Sequence, residues 1–305
     1  MSKVFISGLL NIESSVNVDS FPIDYSPIEY PFFGINTSVS GVGYNIAKAL
    51  KVLGDDISLV SITGDDDLSK VIRERLDEDD ISTSLIFKMK EASTPESVVL
   101  VDKSGARKIF CDLKNIQSLS LLTSLKKANL AYQDYDVAIL SNINFSRDLI
   151  PLFKKNNVLI ASDVHVLNNI YDEYNKDFLK NSDILFLSNE ACLDKEAEFV
   201  KEIYSVYHNK VIVIGCGKDG ALLYEGDKDK YYYQPSTSPY GVKNTVGAGD
   251  ALFSSFIHYY LESKDIEKSL EFAVTFAGAK VGYSGGSNGF KSEKEILSLI
   301  SNKHE

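Results

Sequence analysis

The sequence predicts an α/β fold, a three-layer sandwich of helices around a parallel sheet, and two observations carry that expectation. Short apolar runs recur at residues 4–10, 57–62, 137–140, 158–161, 184–187 and 211–214. Each is continuous rather than alternating, the pattern of strands buried on both faces of a parallel sheet. Helical periodicities lie between many of them. Ile46, Ala49, Leu50 and Leu53 share one face, with Gly54 as the stop, and Leu252, Phe253, Phe256, Ile257 and Tyr260 share another. Strands alternating with helices give the α/β class.

Two segments break this rhythm. Residues of about 14–37 alternate in polarity and carry prolines. Residues of about 93–112 read as a hairpin, with arms at 97–101 and 107–111 around a Lys103-Ser104-Gly105 turn. Both are expected to form a small β-strand lid on one α/β domain spanning 1–305; a decorated surface loop is the plainer reading.

The chain has 305 residues, 44% hydrophobic and 25% charged, an ordinary balance for a globular protein. Its net charge of −11 argues against nucleic acid as a partner, since no basic stripe exists to displace counterions from phosphates. Three cysteines without C-x-x-C spacing and four scattered histidines suggest neither a disulfide framework nor a zinc site. The opening MSKVFISGLL is too short for a signal peptide, and no apolar run approaches a membrane span. A cytoplasmic location is expected.

The strongest chemical signal is Asn244-Thr245-Val246-Gly247-Ala248-Gly249-Asp250, which opens the second apolar helix. Small residues there allow a tight turn that exposes N–H groups at a helix N-terminus, an anion site. Asp250 falls in the first turn, beside the bound anion, where a carboxylate can accept a proton from an attacking hydroxyl. Taken alone, the same residues also read as a glycine turn with a helix-capping aspartate. Ser40-Gly41-Val42-Gly43-Tyr44-Asn45 opens the other helix. It is not a dinucleotide fingerprint, because Ile46 stands where the third glycine would fall. Asn11 and Glu13, in Gly8-Leu9-Leu10-Asn11-Ile12-Glu13, follow the first strand. Ligands of open α/β sheets bind beyond the carboxyl ends of strands, and an amide with a carboxylate suits a sugar diol.

With these residues in order and at this spacing, the chain resembles the ribokinase-like (PfkB) carbohydrate kinases over nearly its whole length. Asn244 to Asp250 matches the family's D-T-x-G-A-G-D, and Ser40 to Gly54 matches its G-G-x-x-x-N-x-A-x-x-x-x-x-L-G. Asn11 and Glu13 stand at its sugar-binding Asn-x-Asp, Thr63-Gly64-Asp65-Asp66 follows the second main strand, and Gly215-Cys216-Gly217-Lys218-Asp219-Gly220 matches T-x-G-x-x-G. The resemblance implies a Rossmann-like core with a β lid that is often a dimer surface. It implies a sugar or nucleoside acceptor on Asn11, Glu13, Gly41, Gly43 and Asn45, and Asp250 as base beside the anion hole of Gly247, Ala248 and Gly249. ATP would lie over Gly217, Lys218 and Gly220 and against Ala273, Ala277 and Gly278, with Asn189, Asn244 and Thr245 nearby. Magnesium is implied too, and a monovalent cation such as potassium on backbone carbonyls near Asn244, Val246 and Gly286.

The departures bear on those expectations. Asn244 replaces an aspartate near the cation and phosphate, so potassium is doubtful. The magnesium-orienting N-x-x-E begins at Asn189 but meets Cys192 at its fourth place, leaving Glu190 as the substitute. Ser40, Glu13 and Gly215 are milder changes. Family members that act on sugar phosphates commonly carry a lysine where Val42 stands, which implies an unphosphorylated acceptor. A nucleoside kinase of the same fold is the near alternative, and a non-catalytic binding paralogue would have no use for Asp250. Asp163 and His165 are either cleft residues or local caps, Arg107 reads as a solvated strand arginine, and Tyr231-Tyr232-Tyr233 as a half-buried strand. No G-x-x-x-x-G-K-[ST] is present.

Overall fold

The computed structural model describes residues 1–304. Its strands, in chain order, are β1 (Lys3–Ser7), β2 (Asn11–Asn17), β3 (Ile35–Ser40), β4 (Asp56–Gly64), β5 (Ile86–Met89), β6 (Glu96–Val101), β7 (Arg107–Asp112), β8 (Val137–Leu140), β9 (Leu159–Val166), β10 (Ile184–Ser188), β11 (Val211–Gly215), β12 (Ala221–Glu225) and β13 (Lys230–Gln234). Nine of them form one sheet in the order β13-β12-β11-β10-β9-β8-β1-β4-β5, parallel from β11 to β5, with β12 and β13 antiparallel at one edge. Helices cover both faces, as expected. Alternate residues of each central strand go to opposite cores: Phe5, Ile212 and Ile214 to one, Val4, Ile6, Val211 and Val213 to the other. That two-sided burial is why the runs were continuous. Each fully buried phenylalanine, such as Phe5, Phe153 or Phe256, contributes roughly 1.5–3 kcal/mol by leaving water.

The remaining strands form a separate sheet, β3-β2-β6-β7. The expected extra strands thus form a small second sheet, whose first part runs from Asn11 to Ser40, wider than the expected 14–37. The first apolar run splits at Gly8: residues before it pair with β4 and β8, while Asn11 already pairs with Ser40. The hairpin turn is built by Asp102, whose Oδ1 accepts the N–H groups of Ser104 (2.9 Å) and Ala106 (3.0 Å). Register gives the lid two unlike faces. Glu13, Ser97 and Cys111 lie across from one another, as do Val99 and Ile109, and Arg107 falls on the same side. Val16, Val98, Leu100 and Phe110 occupy the other side. Among the described residues, no helix is long and apolar enough to cross a membrane.

The helix Val42–Leu53 drives its first turn against the end of β1. A Cβ on Gly43 would come 2.7 Å from the carbonyl carbon of Gly8, and one on Gly8 would come 2.8 Å from the Cα of Gly43. Backbone cannot yield as a side chain can, so Gly43→Ala is expected to destabilise the fold by about 1–3 kcal/mol. Urea unfolding of the variant against the parent measures it.

Candidate active site

The end of β1, the base of the lid, the Val42–Leu53 helix and the loop at 244–250 meet in one place. Asn45 Nδ2 donates to Asp250 Oδ2 at 2.7 Å, joining motifs 205 residues apart. Ser40 Oγ donates to Glu13 Oε2 (3.1 Å), and Asn11 Nδ2 to Ser97 Oγ (2.8 Å). Gly41 has φ 103°, and a side chain there would strike the Leu9 carbonyl, so glycine is required. A Cβ on Gly286 would lie 3.0 Å from Asn45 Nδ2, which puts the 285–287 turn in the same cluster. The Oδ1 atoms of Asn11 and Asn45 are buried without a partner among the described residues. Such acceptors want a donor, and a polyhydroxylated ligand offers several.

The loop that carries Asp250 is held from within. Asn244 Oδ1 accepts the N–H of Val246 (2.7 Å), and the N–H groups of Lys243 and Asn244 reach the Val281 carbonyl (2.8 and 3.0 Å). Gly247 has φ 76° and packs on the Gly286 carbonyl, again excluding a side chain. The helix Ala248–Ser263 starts its ladder with Ala251 N–H to Gly247 O at 2.9 Å. The N–H groups of Gly247, Gly249 and Asp250 take no partner among the described residues. A Cβ on Gly249 would meet nothing within 4 Å. Free amides at a helix start, facing open space, fit a phosphate.

Charge is concentrated here in a dry setting. Burial pushes the Asp250 carboxyl above the usual 3.8, against the opposing pull of the Asn45 hydrogen bond and of His165 and Lys280. Glu13 is raised too, mainly by burial, with Asp250 adding to it and the Ser40 hydrogen bond opposing. Two cations answer these carboxylates. Arg107 is an exposed strand residue, as expected, and it also crosses from the second sheet to donate to Thr245 Oγ1 at 3.1 Å. Lys280 was not singled out from the sequence. Its side chain is fully buried and donates to the Val246 carbonyl, and burial pushes its amine down to about 8. A lysine on the inner side of a helix otherwise built from Phe272, Ala273, Phe276 and Ala279 was the available signal. The Val246 carbonyl, expected beside a monovalent cation, accepts from the Lys280 ammonium.

Towards β11 the picture changes in several details. The turn at 217–220 is closed by Cys216 N–H to Gly220 O (2.8 Å), with Gly217 at φ 55° and Gly220 at φ 111°. Lys218 is exposed, and its carbonyl accepts from Ser236 Oγ. Of the three small residues expected under a flat base, Ala273 is fully buried in the core and Gly278 lies against the Thr237 carbonyl; only Ala277 is partly exposed. Gly278 thus makes room for the 235–241 segment. Asn189 Nδ2 donates to Glu196 Oε1 at 2.8 Å, whereas Glu190 is exposed. Glu196 lies seven residues on, at the start of its helix and outside the N-x-x-E spacing. Cys192 is buried, and burial raises its thiol to about 11. Asp163 Oδ1 takes the His165 N–H (2.8 Å), a local cap, while both residues also act on the charge of Asp250.

A carboxyl raised by burial stabilises the fold only while protonated; the contribution is full below the unfolded value of 3.8 and is lost as pH rises through the folded one. Asp250→Asn keeps the Asn45 hydrogen bond and removes the buried charge, so its melting temperature at pH 7.5 is expected above the parent's. Differential scanning calorimetry decides, with an unchanged or lower value counting against a strained carboxylate.

The geometry has counterparts among known proteins. The pfkB family carbohydrate kinase model matches residues 1–293. A 5-dehydro-2-deoxygluconokinase of Clostridium botulinum (strain Eklund 17B / Type B) is 27% identical over 326 residues, covering 95% of this chain and 93% of that protein. A ribokinase of Dictyostelium discoideum is 22% identical, covering 97% and 99%. The structure of the Giardia lamblia ribokinase superposes with a TM-score of 0.85 at 19% identity, covering 99% of each chain. The chain belongs to the pfkB family of carbohydrate kinases, phosphotransferases that act on a sugar hydroxyl.

Proposed function

We propose that this protein transfers the γ-phosphoryl group of ATP to a hydroxymethyl of an unphosphorylated sugar, with Asp250 as the base. The observation that carries the reading is the pairing of a buried, raised carboxylate with free amides one and three residues before it. Asn11, Glu13 and Asn45 bind the acceptor, and the unpartnered Oδ1 atoms of the two asparagines orient its hydroxyls. Asp250 Oδ1 takes the proton as the hydroxyl attacks, while Asn45 fixes the other oxygen. The amides of Gly247, Gly249 and Asp250 hold the phosphoryl oxygens, and Arg107 brings a positive charge over Thr245 when the lid lies down. ATP supplies the phosphoryl group, and magnesium shields its charge. Asn189 with Glu196 would hold that ion, in the role first assigned to Glu190. Lys218, Gly220 and Ala277 line the nucleotide side. Val42 offers no charge for an acceptor phosphate. On the lid's outer side Val98 and Phe110 are exposed, as is Ile35 on β3; we place a second copy of the chain there, and light scattering of Phe110→Asp should show a loss of dimer.

The acceptor is tested by steady-state kinetics on free pentoses, hexoses and sugar acids, nucleosides, and hexose 6-phosphates. The expected ranking puts an unphosphorylated sugar first in kcat/KM; a nucleoside or a phosphosugar better by tenfold would replace this assignment. Asp250→Asn is expected to lower kcat by about 10²–10⁴ with nucleotide affinity kept. Because the base works ionised and its carboxyl is raised, the acid limb of kcat/KM should lie above the ordinary aspartate range, falling as pH drops through it. Arg107→Ala should lower kcat about 10–100-fold by removing a charge that meets the transferring group. Full activity in that variant would return Arg107 to a surface role.

A further inference from the structure

Lys280 ends the helix Ile266–Lys280 with a fully buried side chain. Its acceptor is a backbone carbonyl, that of Val246, while Asp250 and Glu13 favour its charged form from farther away. A lysine held only for packing would be better served by methionine, since an ammonium removed from water costs the fold several times what its stem returns. The charge therefore needs a use. In a regular helix the Val246 carbonyl would accept the Asp250 N–H, four residues on. That bond is not made, and Asp250 N–H is one of the free amides. Val246 precedes the N-cap Gly247, so its carbonyl stands outside the helix ladder, and Lys280 holds it there.

We propose that Lys280 is a positioning residue whose ammonium replaces a bound monovalent cation: it holds the Val246 carbonyl out of the helix, keeps the Gly249 and Asp250 amides open to phosphate, and fixes one positive charge beneath them. The inference rests on the reading of 244–250 as the phosphate cradle. It also fits Gly286, whose carbonyl packs on Gly247, and Asn244, whose Oδ1 is spent on the Val246 N–H. Two of the oxygens around the loop are thus already occupied, Asn244 Oδ1 by the Val246 N–H and the Val246 carbonyl by Lys280.

The wild-type enzyme is assayed in potassium, sodium and tetramethylammonium chloride at equal ionic strength, and rates should agree within about twofold, since a tethered donor needs no reorganisation. Lys280→Met should lose about 10²–10³ in kcat/KM in every salt, the usual cost of one preorganised donor. Lys280→Ala should show the same loss and regain about tenfold in potassium or ammonium, because it vacates the carbonyl. Its melting temperature should rise in potassium over tetramethylammonium, while the parent's does not move. Several-fold potassium activation of the wild type, parental kcat/KM in Lys280→Met, or no rescue of a folded Lys280→Ala would each overturn the proposal. If neither variant folds, the wild-type salt comparison decides alone. Should the wild type phosphorylate no sugar, the proposed function falls, yet melting temperature and affinity for a non-hydrolysable ATP analogue still judge Lys280.

Discussion

The site depends on one buried hydrogen bond, Asn45 Nδ2 to Asp250 Oδ2 at 2.7 Å. It fastens the first helix, which carries the lid through Gly41 and Ser40, to the helix that begins at the anion loop. Without it a carboxylate would sit in a dry cleft with no donor of its own, a costly arrangement. With it, one oxygen is pinned and the other is left to face a ligand. The two glycines at the end of β1 and the start of the first helix exist so that these groups can approach closely enough to meet.

Around that bond the charges nearly cancel. Asp250 and Glu13 stand against Lys280 and Arg107, and each cation arrives from a different element: one from the end of a core helix, one from the lid. The core cation is permanent, whereas the lid cation is present only where β7 reaches Thr245. The cluster is thus completed across the seam between the core and the second sheet.

Much of this was legible beforehand. The main strands announced themselves because both faces of the sheet are covered, so alternation disappears and the apolar runs stand out. The anion loop and its helix were legible because backbone geometry demands glycine at Gly247 and small residues beside it. What escaped reading was tertiary. Lys280 lies 30 residues after Asp250 in a helix whose apolar stripe concealed it, and no local pattern marks which carbonyl a lysine will reach. Arg107 looked like any strand arginine, since its contact with Thr245 depends on how the second sheet packs on the core. The acid that meets Asn189 is Glu196 rather than Glu190, because the contact comes from the next helix and not from the same turn. Gly278 was read as a platform, but small size serves any close approach, and here the 235–241 segment occupies it.

The lid's sidedness has a consequence for how this enzyme can vary. Residues in its strands alternate between the cleft and the outside, so pairing depends on parity. Adding one residue to the turn after Asp102 and sliding β7 by one place would exchange Arg107, Ile109 and Cys111 with Lys108, Phe110 and Asp112. Phe110 would take the place of Cys111 beside Glu13, and the arginine would leave Thr245. The hairpin can lengthen only in steps that preserve parity, while the 18–34 connection between β2 and β3, which joins strands already locked in register, is free to drift in length.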